Sequence, residues 1–219
     1  MSYTKSLFSF AFAAILALPV VAHADVFVWK NVDKDISLSF PDRWGIVNNH
    51  HEDEILRIAA PAVTGVGEDA KCRVRARDDS RFKMHPVSHD DELQRTRYGF
   101  EFWEDYSTEF KHYHLNHVQN NAGLGRGHAS FADITFESHE HPKMLRRGIA
   151  FASLYQNQVH IIECSAEANS YDKWYPMFVG IIKSVDFKSR QPFKHGFYRN
   201  FFGGETTIEG RRAMDAYTF

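Results

Sequence analysis

Cysteine is scarce in this 219-residue sequence: Cys72 and Cys164 are the only two, so one disulfide is the most the chain can form within itself. Charge of one sign is lacking as well, with 26 basic side chains against 28 acidic ones and a formal net charge of −2. No general pull toward nucleic acid or anionic lipid follows from that balance, and any such attraction has to be local. Long apolar runs are missing too. The one from Leu7 to Val21 covers about 15 residues, short of the roughly 20 that a membrane-spanning helix needs. Nucleophile-elbow, zinc-protease and phosphate-loop signatures are absent, and GLGRG precedes a strand where a dinucleotide fingerprint would follow one. Cys164 stands in an apolar strand, where it reads as buried or bridged and not as a nucleophile. No enzyme is expected on these grounds, and no internal repeat organises the chain.

What is present begins with a leader. Lys5 precedes the apolar run, which closes on the small-residue triplet Ala22 to Ala24, read AHA. That pattern predicts a cleaved signal peptide over residues 1–24 and a mature chain that starts at Asp25 and is exported, to a periplasm or beyond the cell. Removing 24 residues from 219 leaves 195, enough to bury roughly 70% of the unfolded surface in one domain without a metal or a disulfide. In an oxidising compartment the two thiols are expected to pair. The chain-entropy model assigns such a bridge about 4 to 5 kcal/mol.

From Val26 onward, short strands alternate with turn residues. Ile36, Leu38 and Phe40 face away from Ser37 and Ser39 before Pro41 and Asp42 turn the chain. EILRIAAP offers a second strand ending at Pro61. KCRVRARDD offers a third, with Cys72, Val74 and Ala76 on one face and Lys71, Arg73, Arg75 and Arg77 on the other. The period then changes: Leu93, Thr96, Phe100, Trp103, Ser107 and Phe110 fall at gaps of three and four, which predicts an amphipathic helix with a capping start at Ser88 and Asp91 and a weak point at Gly99. Strands resume with HASFADITFES, and LRRGIAFASLY and QVHIIECSA form a hairpin across Asn157. Trp174, Phe178, Ile181 and Ile182 mark a second helix, which places Pro176 in its first turn. SVDF ends the compact region, and residues 188–219 read as an appended aromatic and basic arm.

Two stretches together resemble the PsbP-like superfamily: DISLSFPDRWGIV near the mature start, and RGIAFASLYQNQVHIIECSAEANSYDKWYPMFVGIIKSVDF at the far end. The resemblance spans roughly residues 25–187. It implies an α+β fold, an α/β/α sandwich whose mostly antiparallel sheet is flanked by helices. It also implies a binding or assembly-support role, and it brings no catalytic set to carry over.

Four features are candidate sites. KHYHLNHVQNN places His112, His114 and His117 within six positions. Neither a regular strand nor a helix gathers all three, so they are expected to be solvated loop histidines after the helix. A zinc, copper or nickel site there requires a bend near Asn116 or a further ligand such as His128, His139 or His141. The basic face of KCRVRARDD could track anionic groups. Its expected state is solvated, or paired with Asp69, Asp78, Asp79 and acids from neighbouring elements. The HHEDE run from His50 to Glu54 is expected to be solvated. The arm interleaves Phe193, Phe197, Tyr198, Phe201 and Phe202 with Lys194, His195 and Arg199, a composition suited to a partner groove or to packing back on the domain. The functional expectation is an exported, non-catalytic protein that binds or steadies an envelope protein partner, without cofactor. The alternative is a periplasmic metal-binding protein using the histidine stretch.

Overall fold

Period-two alternation of apolar and polar side chains governs most of the chain, and it is realised as antiparallel strands. The structure is a computed structural model that describes residues 25–48, 51–61, 70–79, 98–124, 127–138 and 143–188. The leader, the arm from position 189 on, and the expected helix start with Ser88, Leu93 and Thr96 lie outside the described residues, as do Asp69, His139 and His141.

In chain order the elements are β1 (Val26–Asn31), β2 (Ile36–Pro41), β3 (Gly45–Ile46), β4 (Glu54–Ala59), β5 (Ala70–Asp78), α1 (Phe100–Ser107), β6 (Lys111–Leu124), β7 (Gly127–Glu137), β8 (Leu145–Tyr155), β9 (Gln158–Glu167), α2 (Tyr171–Lys183) and β10 (Asp186–Phe187). Seven strands form one sheet in the order β3-β4-β5-β9-β8-β7-β6, and three form a second in the order β1-β2-β10, with every pairing antiparallel. The β8–β9 hairpin is as expected: Gln156 and Asn157 form a two-residue turn with φ of 49° and 60°, the left-handed geometry that matches strand twist.

The large sheet has a core on each face. On one, Tyr98, Trp103, Tyr106 and Phe110 of the α1 segment pack on Ile134, Phe136, Leu154 and Ile161. On the other, Phe178, Ile181 and Ile182 of α2 pack with Ile36, Leu38 and Phe40 of β2 over Cys72, Phe151, Ile162 and Cys164. The α+β class is therefore as expected, but the layer on the α2 side is shared between a helix and the three-stranded sheet. The apolar inner face of β2 requires that partner, since Ile36, Leu38 and Phe40 are all buried.

Three local expectations are corrected. The apolar stripe of α1 runs through Tyr98, Phe102, Trp103, Tyr106 and Phe110, while Phe100 is 56% exposed. Of the expected stripe Trp103, Ser107 and Phe110 are buried, and Tyr98 and Tyr106 take the place of Phe100 on the inward face. Pro176 lies inside α2, not in its first turn. It removes one helical hydrogen bond, on the solvent side where Asp172 and Pro176 are both exposed. Most consequential for the candidate sites, the histidine stretch is strand β6, an edge strand of the large sheet, and not a loop.

Candidate functional site

The basic face of β5 is the seat of α1. Strand alternation points Arg73, Arg75 and Arg77 to the α1 side, where Tyr106 sits with its ring 5.7, 5.8 and 5.7 Å from the three guanidinium carbons. Arg73 donates to Glu163 of β9 at 2.8 Å and to the Tyr106 hydroxyl at 2.9 Å, and that hydroxyl in turn donates to Glu163 at 2.6 Å. Arg75 and Arg77 each bridge the same two acids, Asp53 before β4 and Glu109 after α1. Beside them Arg57 grips Glu54 with two bonds, of 2.5 and 2.7 Å. Paired forks of this kind are the strongest ion-pair geometry available to side chains.

Burial and charge act against each other throughout the network. Burial pushes the Asp53 and Glu109 carboxyls up, but the hydrogen bonds and charges of Arg75 and Arg77 outweigh it and hold both below the usual carboxylate range. Burial lowers the proton affinity of Arg73, and Glu163 with Tyr106 more than restores it. Burial raises the Tyr106 hydroxyl, so it remains a donor. The basic row is thus paired by acids from neighbouring elements, as one of the two expectations held. Asp78 and Asp79 take other roles, accepting from Gln158 and from the Tyr98 hydroxyl. The HHEDE run is the correction: Asp53 and Glu54 are network members, and Glu54 is buried. The buried arginines opposite them require counter-charge.

Next to this network the α1 face opens into a cavity of about 410 Å³. Arg57, Lys71, Arg73 and Arg146 supply its cations, and Phe110 and Phe136, stacked with centroids 4.1 Å apart, supply an apolar wall. Arg146 of β8 is almost fully buried and donates to the Ser165 carbonyl at 2.8 Å. His51, Glu109 and Glu163 complete the titratable lining. Sequence reasoning named Lys71 and Arg73 but missed Arg57, Arg146, Glu109 and Glu163. A lone glutamate in the apolar run IIEC and an arginine pair opening the apolar strand LRRGIA were the available signals, since a charge in a buried strand calls for a partner.

Cys72 and Cys164 are opposite one another in the β5–β9 register, with Cα atoms 4.0 Å apart, and they form the expected disulfide on the α2 face of the sheet. The three histidines are exposed. Register shifts between Lys111 and His114 and between Leu115 and His117 insert extra residues, so His114 lies opposite Thr135 and His117 opposite Asp133, on one face. His112, at φ 45°, reaches Glu137 of the same face at 3.6 Å. The bend that the sequence reading required near Asn116 is therefore present. It yields a row and not a cluster, because Asp133 and Glu137 are four strand positions apart, roughly 13 Å. Among the described residues no group of three metal donors converges.

No protein-family model and no curated protein matches the sequence. Among solved structures, the chain is similar to the cyanobacterial PsbP (CyanoP) of Synechocystis sp. PCC 6803, at 10% identity and TM-score 0.47, over 78% of this chain and 97% of that one. It is similar to the Ran-binding protein Mog1p of Saccharomyces cerevisiae, at 4% identity and TM-score 0.46, over 75% and 96% of the two chains. It is also similar to LpqN, involved in cell envelope biogenesis of Mycobacterium tuberculosis, at 11% identity and TM-score 0.46, over 76% and 92%. These likenesses concern the fold alone, and they include the PsbP-like kind that the two end stretches resemble.

Proposed function

We propose that the chain is an exported, non-catalytic binding protein of the cell envelope that recognises a partner protein through its three-stranded sheet. The observation that carries this reading is strand β1. It pairs with β2 on one side, and among the described residues no strand pairs with its other edge. Val26, Phe27 and Val28 are 57%, 47% and 53% exposed there, and Val32 just beyond is 82% exposed. An apolar strand with a free backbone edge is a template for an added strand from another chain. Export is supported by the leader pattern and by the buried disulfide, a bond that persists in oxidising compartments. Among the described residues no helix is long and apolar enough to cross a membrane.

The aromatic residues of the arm, Phe193, Phe197, Tyr198, Phe201 and Phe202, with Arg199, are the second contact in this reading. Lys188, where the arm begins, donates its amide to the Asp35 carbonyl at 2.8 Å and so is rooted on the same small sheet. The test is a Val26→Lys, Val28→Lys double variant, whose outward side chains leave the core face untouched. Its melting temperature should stay within a few degrees of the parent while the protein partner that co-purifies from the envelope fraction is lost. Retention of that partner by the folded variant overturns the reading.

A metal-binding role has one observation in its favour, the bulge that turns His114 and His117 to one face. Titration with zinc, copper and nickel tests it. A micromolar site that disappears in a His114→Ala, His117→Ala variant supports metal binding, and no such site removes it.

A further inference from the structure

We propose that the cavity on the α1 face binds a small organic anion, a monocarboxylate carried on an aromatic or short alkyl body. Its volume of about 410 Å³ falls in the range of small-molecule sites, which are mostly apolar with a few placed polar groups. The lining divides in that way. Phe110 and Phe136 form a stacked apolar wall, and four cationic residues, Arg57, Lys71, Arg73 and Arg146, line the same space.

Acids offset part of that charge: Glu163 is engaged by Arg73 and the Tyr106 hydroxyl, Glu54 by Arg57, and Glu109 by Arg75 and Arg77. Across the lining and the adjoining network the six cations Arg57, Lys71, Arg73, Arg75, Arg77 and Arg146 still outnumber the four acids Asp53, Glu54, Glu109 and Glu163. Guanidinium forks match the planar two-oxygen geometry of a carboxylate, and the rings take up an apolar body beside it. The walls are also held in place. Phe110 follows α1, whose end is tied to β5 by Glu109, and Arg146 is fixed to the Ser165 carbonyl. Such preorganisation lowers the ordering cost of binding. This site is separate from the β1 edge, so failure of the partner reading leaves it standing.

Isothermal titration of the full exported protein tests the proposal, using benzoate, phenylacetate and hexanoate, with benzamide as the neutral match and inorganic phosphate as the compact anion. At least one carboxylate should saturate with a Kd below about 1 mM, with benzamide and phosphate at least about tenfold weaker. Lys71→Gln, at a half-buried position, should weaken carboxylate binding about tenfold with the melting temperature preserved. Arg146→Lys, which keeps the charge but removes the fork, should weaken it as well. The proposal fails if no carboxylate saturates the folded protein, if phosphate or benzamide binds as well as the carboxylates, or if binding is unchanged in a folded Lys71→Gln variant.

Discussion

His160 of β9 packs against the stacked rings of Tyr155 and Phe187, with centroids 6.1 and 5.2 Å away, and among the described residues its Nδ1 has no hydrogen-bond partner. Burial, followed by the positive charge of Lys34, pushes its pKa down to about 4, against the opposing pull of a backbone hydrogen bond with Tyr155. The unfolded chain therefore binds this proton more tightly than the folded one. Stability is complete above about pH 6.5 and is lost as pH falls toward 4. Urea unfolding should show the protein about 2 kcal/mol less stable at pH 5 than at pH 7. Asp53 and Glu109 are held below the usual carboxylate range, so their contribution goes at lower pH and leaves this window to His160. The slope should flatten in His160→Phe, and a slope unchanged in that folded variant refutes the assignment.

At the scale of elements, α1 is fastened to the sheet by charge as well as by apolar packing. Arg73 and Glu163 are both nearly buried, and taking one member away strands the other. Arg73→Met should cost about 3 to 5 kcal/mol by denaturant unfolding, and Arg73→Met combined with Glu163→Leu should recover most of that loss. A double variant no more stable than the single one contradicts the pairing. The alternation that makes this strand basic on one face was legible in KCRVRARDD because period two is a local property. The identity of its counter-charges was not, since Glu163 lies 90 residues away in sequence and Asp53 lies in a run that reads as a solvated turn. The hairpin turn and the disulfide were legible for the same local reasons. Strand β6 was hidden because its register shifts break the alternation by which a strand announces itself. Pro176 misled in a similar way: a helix tolerates the missing bond where the freed carbonyl faces water, and exposure is not written in the local sequence.

At the scale of the whole molecule, the buried residues of both cores, among the described residues, lie between positions 36 and 187. In the proposed reading the arm is a binding element, so truncation after Lys188 should shift the melting temperature by no more than about 2 to 4 °C, the change that ~1 kcal/mol makes in a protein of this size. A larger fall by calorimetry would show that the arm belongs to the domain and is not a binding element. In the proposed reading the small sheet is the recognition element, with an apolar edge at β1 that no described strand pairs and the root of the arm at its other edge, β10. The polar cavity lies on the opposite face of the large sheet, among elements stapled together by arginines. The most direct measurement of the central claim is site-specific photocrosslinking in intact cells, with the reactive side chain placed in turn at Val26, Val28 and Val32, and at exposed Lys173 of α2 for comparison. One protein adduct is predicted at the three valine positions and none at Lys173. Absence of any adduct at the valines, or the same adduct at Lys173, would contradict recognition through the β1 edge.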